Sequence, residues 1–198
     1  IKMMKHLFFV VSLMALISCG ENLSKTRGEI DKTALLAKGD SIAMIAQKTL
    51  VGKLTSAISE RGVPGAVAFC NLNAMPLTDS LSMSNNVGIQ RLSDKNRNPA
   101  NTLSSIHDKE AWTKIQKMMA DTGIKDKHLL MEDKNSVYYY KAIPLGMPLC
   151  LNCHGQKDKD IAPDVFKIIS EKYPQDKAIG YEAGQLRGMW KIKMPVNE

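Results

Sequence analysis

The sequence lacks three features that would assign it to common protein classes. After residue 17, no apolar segment reaches the roughly 18 residues that a membrane-spanning helix needs. Its Lys and Arg residues are mixed with Asp and Glu, without a long basic block or interleaved aromatic residues, so nucleic acid is not an expected partner. Internal repeats and low-complexity tracts are also absent. The 198 residues, less a leader, therefore predict one domain that does not cross a membrane.

The first residues predict export. Lys2 and Lys5 precede the apolar run Leu7–Ile17, which is typical of a secretory signal peptide over residues 1–18. The formal net charge of the whole sequence is +7. Removal of residues 1–18 takes away these two lysines and no acidic residue, so the mature protein stays mildly basic.

The end of the apolar run predicts a lipid anchor. The segment Leu16–Gly20 resembles a bacterial lipobox, in which Cys19 becomes the lipidated first residue. The alternative is an ordinary signal peptide with an incidental Cys. With the lipid, residues 19–28 form a tether, and the domain at 29–198 lies on the periplasmic or cell-surface face of a bacterial membrane.

Periodicity predicts an α+β fold, with a small antiparallel sheet flanked by helices and a long N-terminal helix. The expected helices are Ile30 to Arg61, Pro76 to Ser84, Ser105 to Met119 with Ile106 on its apolar face, and Pro163 to Lys172. The expected strands are Val87–Leu92, a hairpin of Leu129–Met131 with Ser136–Ile143, and Arg187–Met194. Residues 93–105 form a polar loop, of a length that is usually functional.

The segment Cys150-Leu151-Asn152-Cys153-His154 predicts one covalently attached haem c. Two thiols reach the two vinyl groups of the porphyrin, and the adjoining His154 coordinates the iron. Half of a zinc site is an alternative, but no second CxxC or HxxxH pair is present. A thioredoxin-like dithiol would open a helix after a strand, and Pro148 with Asn152 predicts a loop instead.

Cys70 is then the unassigned cysteine of an exported chain. It is either a buried, inert thiol that follows the apolar residues 66–69, or a thiolate at the sixth position of the iron. Met75, Met147, His107 and His128 compete for that position.

The two arginines that flank or enter the polar loop are candidate partners of the haem propionates. Arg91 and Arg97 can bind carboxylates with bidentate geometry. The alternative is that both are solvated surface residues, because spacing alone does not direct them to the iron.

Four separated motifs resemble a known family. They are Cys70 after an apolar stretch, residues 91–101 with Arg97-Asn98-Pro99-Ala100-Asn101, the haem segment continued by Gly155, and residues 173–181 followed by Arg187-Gly188. Together they resemble the PAS-like single-haem c-type domain family over roughly residues 30 to 195. The resemblance implies a PAS-like sheet and a haem whose axial ligands are His154 and Cys70. It also implies relatives that are extracytoplasmic parts of sensor kinases.

These features support two hypotheses. In the first, the protein is a lipid-anchored redox or small-gas sensor in which reduction or a gas displaces Cys70 and a separate signalling protein receives the signal. In the second, it is a simple electron-transfer cytochrome with a redox partner. A haem enzyme is the least favoured class, because no distal pair of His and Arg is evident.

Overall fold

A four-stranded antiparallel sheet forms the centre of the fold. The computed structural model describes residues 31–195. The sheet contains β1 (Gly88–Leu92), β2 (His128–Glu132), β3 (Ser136–Pro144) and β4 (Leu186–Pro195), in the order β1-β4-β3-β2. The final strand therefore inserts between β1 and the β2–β3 hairpin, and its register pairs Trp190 with both Arg91 and Lys141.

Helices cover both faces of the sheet. Val137 and Tyr139 point toward α1 (Lys32–Asn85), whereas Tyr140 of the same strand points toward α2 (Ile106–Ala120). This alternation follows from the two-residue period of a strand, and it produces one apolar core on each face. The predicted α+β class, with a small antiparallel sheet and a long N-terminal helix, is confirmed.

The helix α1 is bent at Gly62, and its second half differs from the prediction. Gly62 has φ 67° and ψ 176°, a conformation that only glycine adopts readily, so the predicted end near Arg61 marks a real break. Residues beyond it form helix as far as Asn85, and Pro76 lies inside this segment. The prediction of a new helix at Pro76 was wrong, because the helix already restarts after Gly62. Pro64 stands in the first turn after that break, where a missing backbone donor is tolerated.

Two smaller expectations also need correction. Ile106 was placed on the apolar face of α2 but is 75% exposed; Ser105 and Asp108 form the capping box that starts the helix at this residue. The haem segment was expected in a loop. It forms a 3₁₀ turn over Pro148–Cys150 that continues into the one-turn helix α3 (Leu151–His154).

Several predicted features lie outside the described residues, namely the signal peptide, the lipidated Cys19 and the whole of the tether. Within residues 31–195, none of the helices combines the length and apolar character that crossing a bilayer requires.

The last helix, α4 (Pro163–Lys172), has the predicted bounds and packs against α1 beyond the bend, where Val67 joins Val165 and Ile169 in a third apolar cluster.

Candidate functional site: a cavity at the end of the sheet

One cavity of about 1200 Å³ collects most of the predicted site residues. Its wall includes α1 on both sides of the Gly62 bend, the adjoining ends of β1, β3 and β4, and the turn that carries the haem segment. The predicted residues on the wall are Cys70, Arg91, Arg97, Cys150, Cys153 and His154. Met75 and Met147 also line it, whereas His107 and His128 do not and instead contact Tyr138 and Tyr139.

The haem segment presents its three chemical groups from a single helical turn. Residues three and four apart lie on one side of a helix, so Cys150, Cys153 and His154 share a face. Both cysteines are half-buried and carry free thiols. Burial raises the pKa of the Cys153 thiol, against an opposing effect of the nearby Arg97 guanidinium.

His154 is held in one orientation by a backbone carbonyl. Its Nδ1 lies 2.7 Å from the carbonyl oxygen of Ala178, and its ring meets Tyr181 edge-on with centroids 6.4 Å apart. A carbonyl oxygen only accepts, so Nδ1 carries the hydrogen and Nε2 keeps a free lone pair. Burial, followed by the charges of Arg187 and Arg97, holds the pKa of His154 well below its usual range, so the imidazole is neutral.

Arg97 forms a buried ion pair with Asp176. Its Nε donates to Oδ1 at 3.2 Å and its Nη2 to Oδ2 at 3.0 Å, with side chains 12% and 8% exposed. Nη2 also donates to the carbonyl oxygens of Cys153, at 2.6 Å, and Ala178, at 3.4 Å. Two of its three nitrogens are thus engaged by protein groups. A contact between Arg97 and a propionate stays a prediction.

The polar loop at 93–105 and the segment 173–181 are joined by the Arg97–Asp176 pair and by further hydrogen bonds. Lys177 N–H donates to the Asn96 carbonyl at 3.1 Å, and Lys95 Nζ donates to the Ile179 carbonyl at 2.9 Å. The loop contributes Ser93, Asn96 and Arg97 to the cavity wall, and its functional role stays a prediction. Its partner segment came from the family resemblance and not from spacing.

Arg187 also lines the cavity, although only Arg91 and Arg97 were predicted as propionate partners. Its Nε lies 3.3 Å from Nδ1 and 3.5 Å from Nε2 of His154, so the guanidinium lies against the ring and is not aimed at one lone pair. Its Nη1 donates to the Lys95 carbonyl at 3.4 Å. Burial lowers the pKa of Arg187 to about 10. The Arg187-Gly188 motif, which is part of the family resemblance, was the sequence signal that could have identified Arg187 as a site residue.

Arg91 lies on the Cys70 side of the cavity. Its guanidinium carbon is 6.0 Å from the centre of the Trp190 ring, and burial lowers its pKa. Within residues 31–195, neither Arg91 nor Arg187 has a carboxylate within 4 Å. Burial raises the pKa of the Cys70 thiol, and Arg91 and Arg97 oppose that effect.

These groups fit a haem c. The donor set comprises two thiols three residues apart, a neutral imidazole with a free nitrogen, a further sulfur on the same cavity wall, and two half-buried arginines with no carboxylate within 4 Å among residues 31–195. Cations partly removed from water without an anionic partner are costly, so a doubly anionic ligand such as a haem with two propionates suits this wall.

The comparisons with known proteins agree on one fold. The model of the Tll0287-like family, described as Tll0287, matches residues 21–195. The crystal structure of the cyanobacterial heme-protein Tll0287 aligns with 82% of this chain and 93% of its own, with a TM-score of 0.57 and 21% sequence identity. At this identity the likeness shows the fold. No curated protein matches the chain.

Proposed function

This chain belongs to the Tll0287-like family, and from that premise we propose that it is an exported, lipid-anchored protein with one covalent haem c, acting as a redox or small-gas sensor. The proposal rests chiefly on the cavity, where a CxxCH turn, a separate cysteine and two arginines share one wall. Among the described residues, neither arginine has a carboxylate within 4 Å. Tll0287, which has the same fold, is described as a heme-protein.

Each group on the wall has a role in holding the cofactor. Cys150 and Cys153 would form the two thioether bonds, and Nε2 of His154 would be the nitrogen that binds the iron, because Nδ1 is occupied by the Ala178 carbonyl. Cys70 would supply a second protein ligand to the iron. When bound, the haem supplies one-electron chemistry and a position for a diatomic gas.

The arginines on the wall meet the acidic edge of the cofactor. Arg91 and Arg187 are the best candidates to pair with the propionates, because neither has a protein carboxylate within reach among the described residues. Arg97 reaches the same wall with one nitrogen left over from its pair with Asp176.

The sensing role is supported by where Cys70 lies in the chain. It belongs to the part of α1 beyond the Gly62 bend, which packs against α4 through Val67. A glycine at a break is a natural hinge, so release of Cys70 would allow this segment to shift relative to the sheet. A separate signalling partner would read that shift.

An electron-transfer cytochrome is the second candidate, and one observation favours it. Met75 and Met147 line the same cavity and could provide a ligand that stays bound in both oxidation states. Such a protein needs no rearrangement of α1.

Spectra of the matured protein decide between them. We expect a low-spin thiolate signature in the ferric state that disappears in Cys70→Ala and persists in the matched variant Met75→Leu. Loss of the thiolate on reduction, or on adding carbon monoxide, would support the sensor. An unchanged spectrum in Cys70→Ala would overturn thiolate ligation. A ferrous protein that keeps its ligand and excludes carbon monoxide would favour the carrier.

The anchor is tested separately. Cys19→Ser should move the protein from the membrane fraction to the soluble exported fraction and remove labelling by a radioactive fatty acid. Cys70→Ser is the control, because it changes a cysteine outside the lipobox. Equal fractionation of wild type and Cys19→Ser would contradict the anchor while leaving the haem proposal intact.

A further inference from the structure

The peptide unit of Ala178 is held from both of its polar ends. Its N–H donates to Oδ1 of Asp176 at 2.8 Å. Its carbonyl oxygen lies 2.7 Å from Nδ1 of His154 and 3.4 Å from Nη2 of Arg97. Asp176 and Arg97 are themselves joined by two hydrogen bonds. The Arg97–Asp176 pair therefore encloses the one peptide unit that orients the imidazole.

The same pair is also hydrogen-bonded to the haem segment. Nη2 of Arg97 donates to the carbonyl of Cys153 at 2.6 Å, one residue before His154. Backbone bonds from Gly180 N–H to Gly155 and from Tyr181 N–H to His154, at 2.8 and 3.0 Å, complete the contact between the two segments. The orientation of His154 thus depends on residues that are distant in the chain, and this pair is one of the contacts that join them.

On the basis of the proposed haem site, we propose that Arg97 and Asp176 are positioning residues for the axial ligand: by fixing the Ala178 carbonyl against Nδ1, they set the orientation and donor strength of His154. This role differs from the propionate contact predicted for Arg97. Neither residue is assigned as an iron ligand, and both act through the Ala178 peptide.

The physical basis is the effect of a partner on a ligating imidazole. A carbonyl that accepts the Nδ1 hydrogen makes Nε2 a better donor, and loss of such a partner typically weakens metal binding or activity by about 10–100-fold. A stronger donor favours ferric iron. Breaking the pair should therefore raise the midpoint potential and expose the Nδ1 hydrogen to solvent.

The test uses the full-length, haem-loaded protein and the variant Asp176→Asn, which keeps the shape of the side chain and removes its charge. Two quantities are measured: the solvent exchange rate of the His154 Nδ1 hydrogen by NMR in the ferrous protein, and the midpoint potential. In Asp176→Asn we expect exchange of this hydrogen to accelerate and the midpoint potential to rise. Asp176→Glu, which keeps the charge, should recover part of both effects.

A matched control separates positioning from stability. Asp108 is a second buried carboxylate paired with a basic side chain, Lys191, but it lies outside the cavity wall and contacts the N-terminus of α2. Asp108→Asn should lower stability without moving the exchange rate or the potential. Equal values of both quantities in wild type and Asp176→Asn, or equal changes in Asp108→Asn, would overturn the positioning role.

Arg97→Lys provides a second route if Asp176→Asn does not mature. It keeps the charge and loses the bidentate geometry, so the exchange rate and potential should lie between those of wild type and a broken pair; wild-type values in Arg97→Lys would contradict the inference. Failure of the proposed function is read from the wild type alone, as the absence of covalently bound haem before any variant is compared.

Discussion

Two basic residues of β4, four positions apart, differ in how their charge is neutralised. Lys191 donates to Oδ1 of Asp108 at 2.7 Å, and that fully buried carboxylate also accepts from the Tyr140 hydroxyl at 2.8 Å and the Ser105 N–H at 3.1 Å. Arg187 faces the cavity and meets an imidazole, an aromatic ring and a carbonyl, with no carboxylate within 4 Å among residues 31–195.

The difference indicates which charge belongs to the fold and which to a ligand. The Lys191–Asp108 pair is complete, so its role is to join α2 to the sheet. The half-buried guanidinium of Arg187 has no carboxylate within 4 Å among residues 31–195, which is costly unless an anion from outside the chain neutralises its charge. Substitutions at these two places should therefore affect different measurements.

The largest effect is expected from breaking the completed pair. Lys191→Met leaves the Asp108 carboxylate buried without its cation, and removing one partner of a buried pair costs about 3–5 kcal/mol of unfolding free energy. Denaturant unfolding measures this loss. Glu132→Gln is the control: its pair with Lys32 is 41% and 67% exposed, so the change should stay below about 1 kcal/mol. Similar losses in both variants would contradict the comparison.

The same pair predicts a pH dependence. Burial alone would raise the pKa of Asp108, but hydrogen bonds from Lys191, Ser105 and Tyr140 outweigh it and hold the pKa below its ordinary value. A depressed carboxylate pKa contributes stability that is present above the unfolded-state value near pH 4 and is lost as the pH falls through the folded-state value. Stability below about pH 4 should therefore fall less steeply in Asp108→Asn than in wild type, as measured by thermal melting across pH.

Two glycines of α1 test how closely this helix approaches the sheet. A Cβ at Gly39 would lie 2.3 Å from Cγ of Tyr139, whereas a Cβ at Gly52 would have no atom within 4 Å. Gly39→Ala should cost about 1–3 kcal/mol through overpacking. Gly52→Ala should stabilise the helix by up to about 1 kcal/mol. Effects of the same sign in denaturant unfolding would show that the close approach of α1 to Tyr139 is wrong.

The smallest effect in free energy is expected at Arg187, where the readout is the cofactor. Arg187→Met leaves no carboxylate of residues 31–195 without its partner, so the loss of unfolding free energy should be about 1 kcal/mol. Removing a cation from the cavity favours ferric iron, and the midpoint potential should fall by up to about 60 mV, equivalent to a tenfold change in a one-electron equilibrium. Arg61→Met, at an exposed arginine, is the control for charge at the surface. An unchanged potential in Arg187→Met would show that its charge does not reach the iron.

Local patterns explain which parts of the fold were predictable. Ser105 with Asp108 marks the start of α2, Pro163 stands at the first residue of α4, and Glu132–Asn135 separates two alternating strands. The continuation of α1 through Pro76 was not predictable in this way, because its packing against α4 and the sheet outweighs one missing hydrogen bond.

The haem segment and the strand and helix periods were determined by the sequence alone, since each depends on residues within a few positions of one another. The pairing of Arg97 with Asp176, the contact of Arg187 with His154 and the choice of Ala178 as the imidazole's partner were decided by the tertiary structure. These residues are separated by 79, 33 and 24 positions. Side chains so distant meet only after the sheet and two loops have packed, and no local pattern encodes which of several arginines will pair with Asp176.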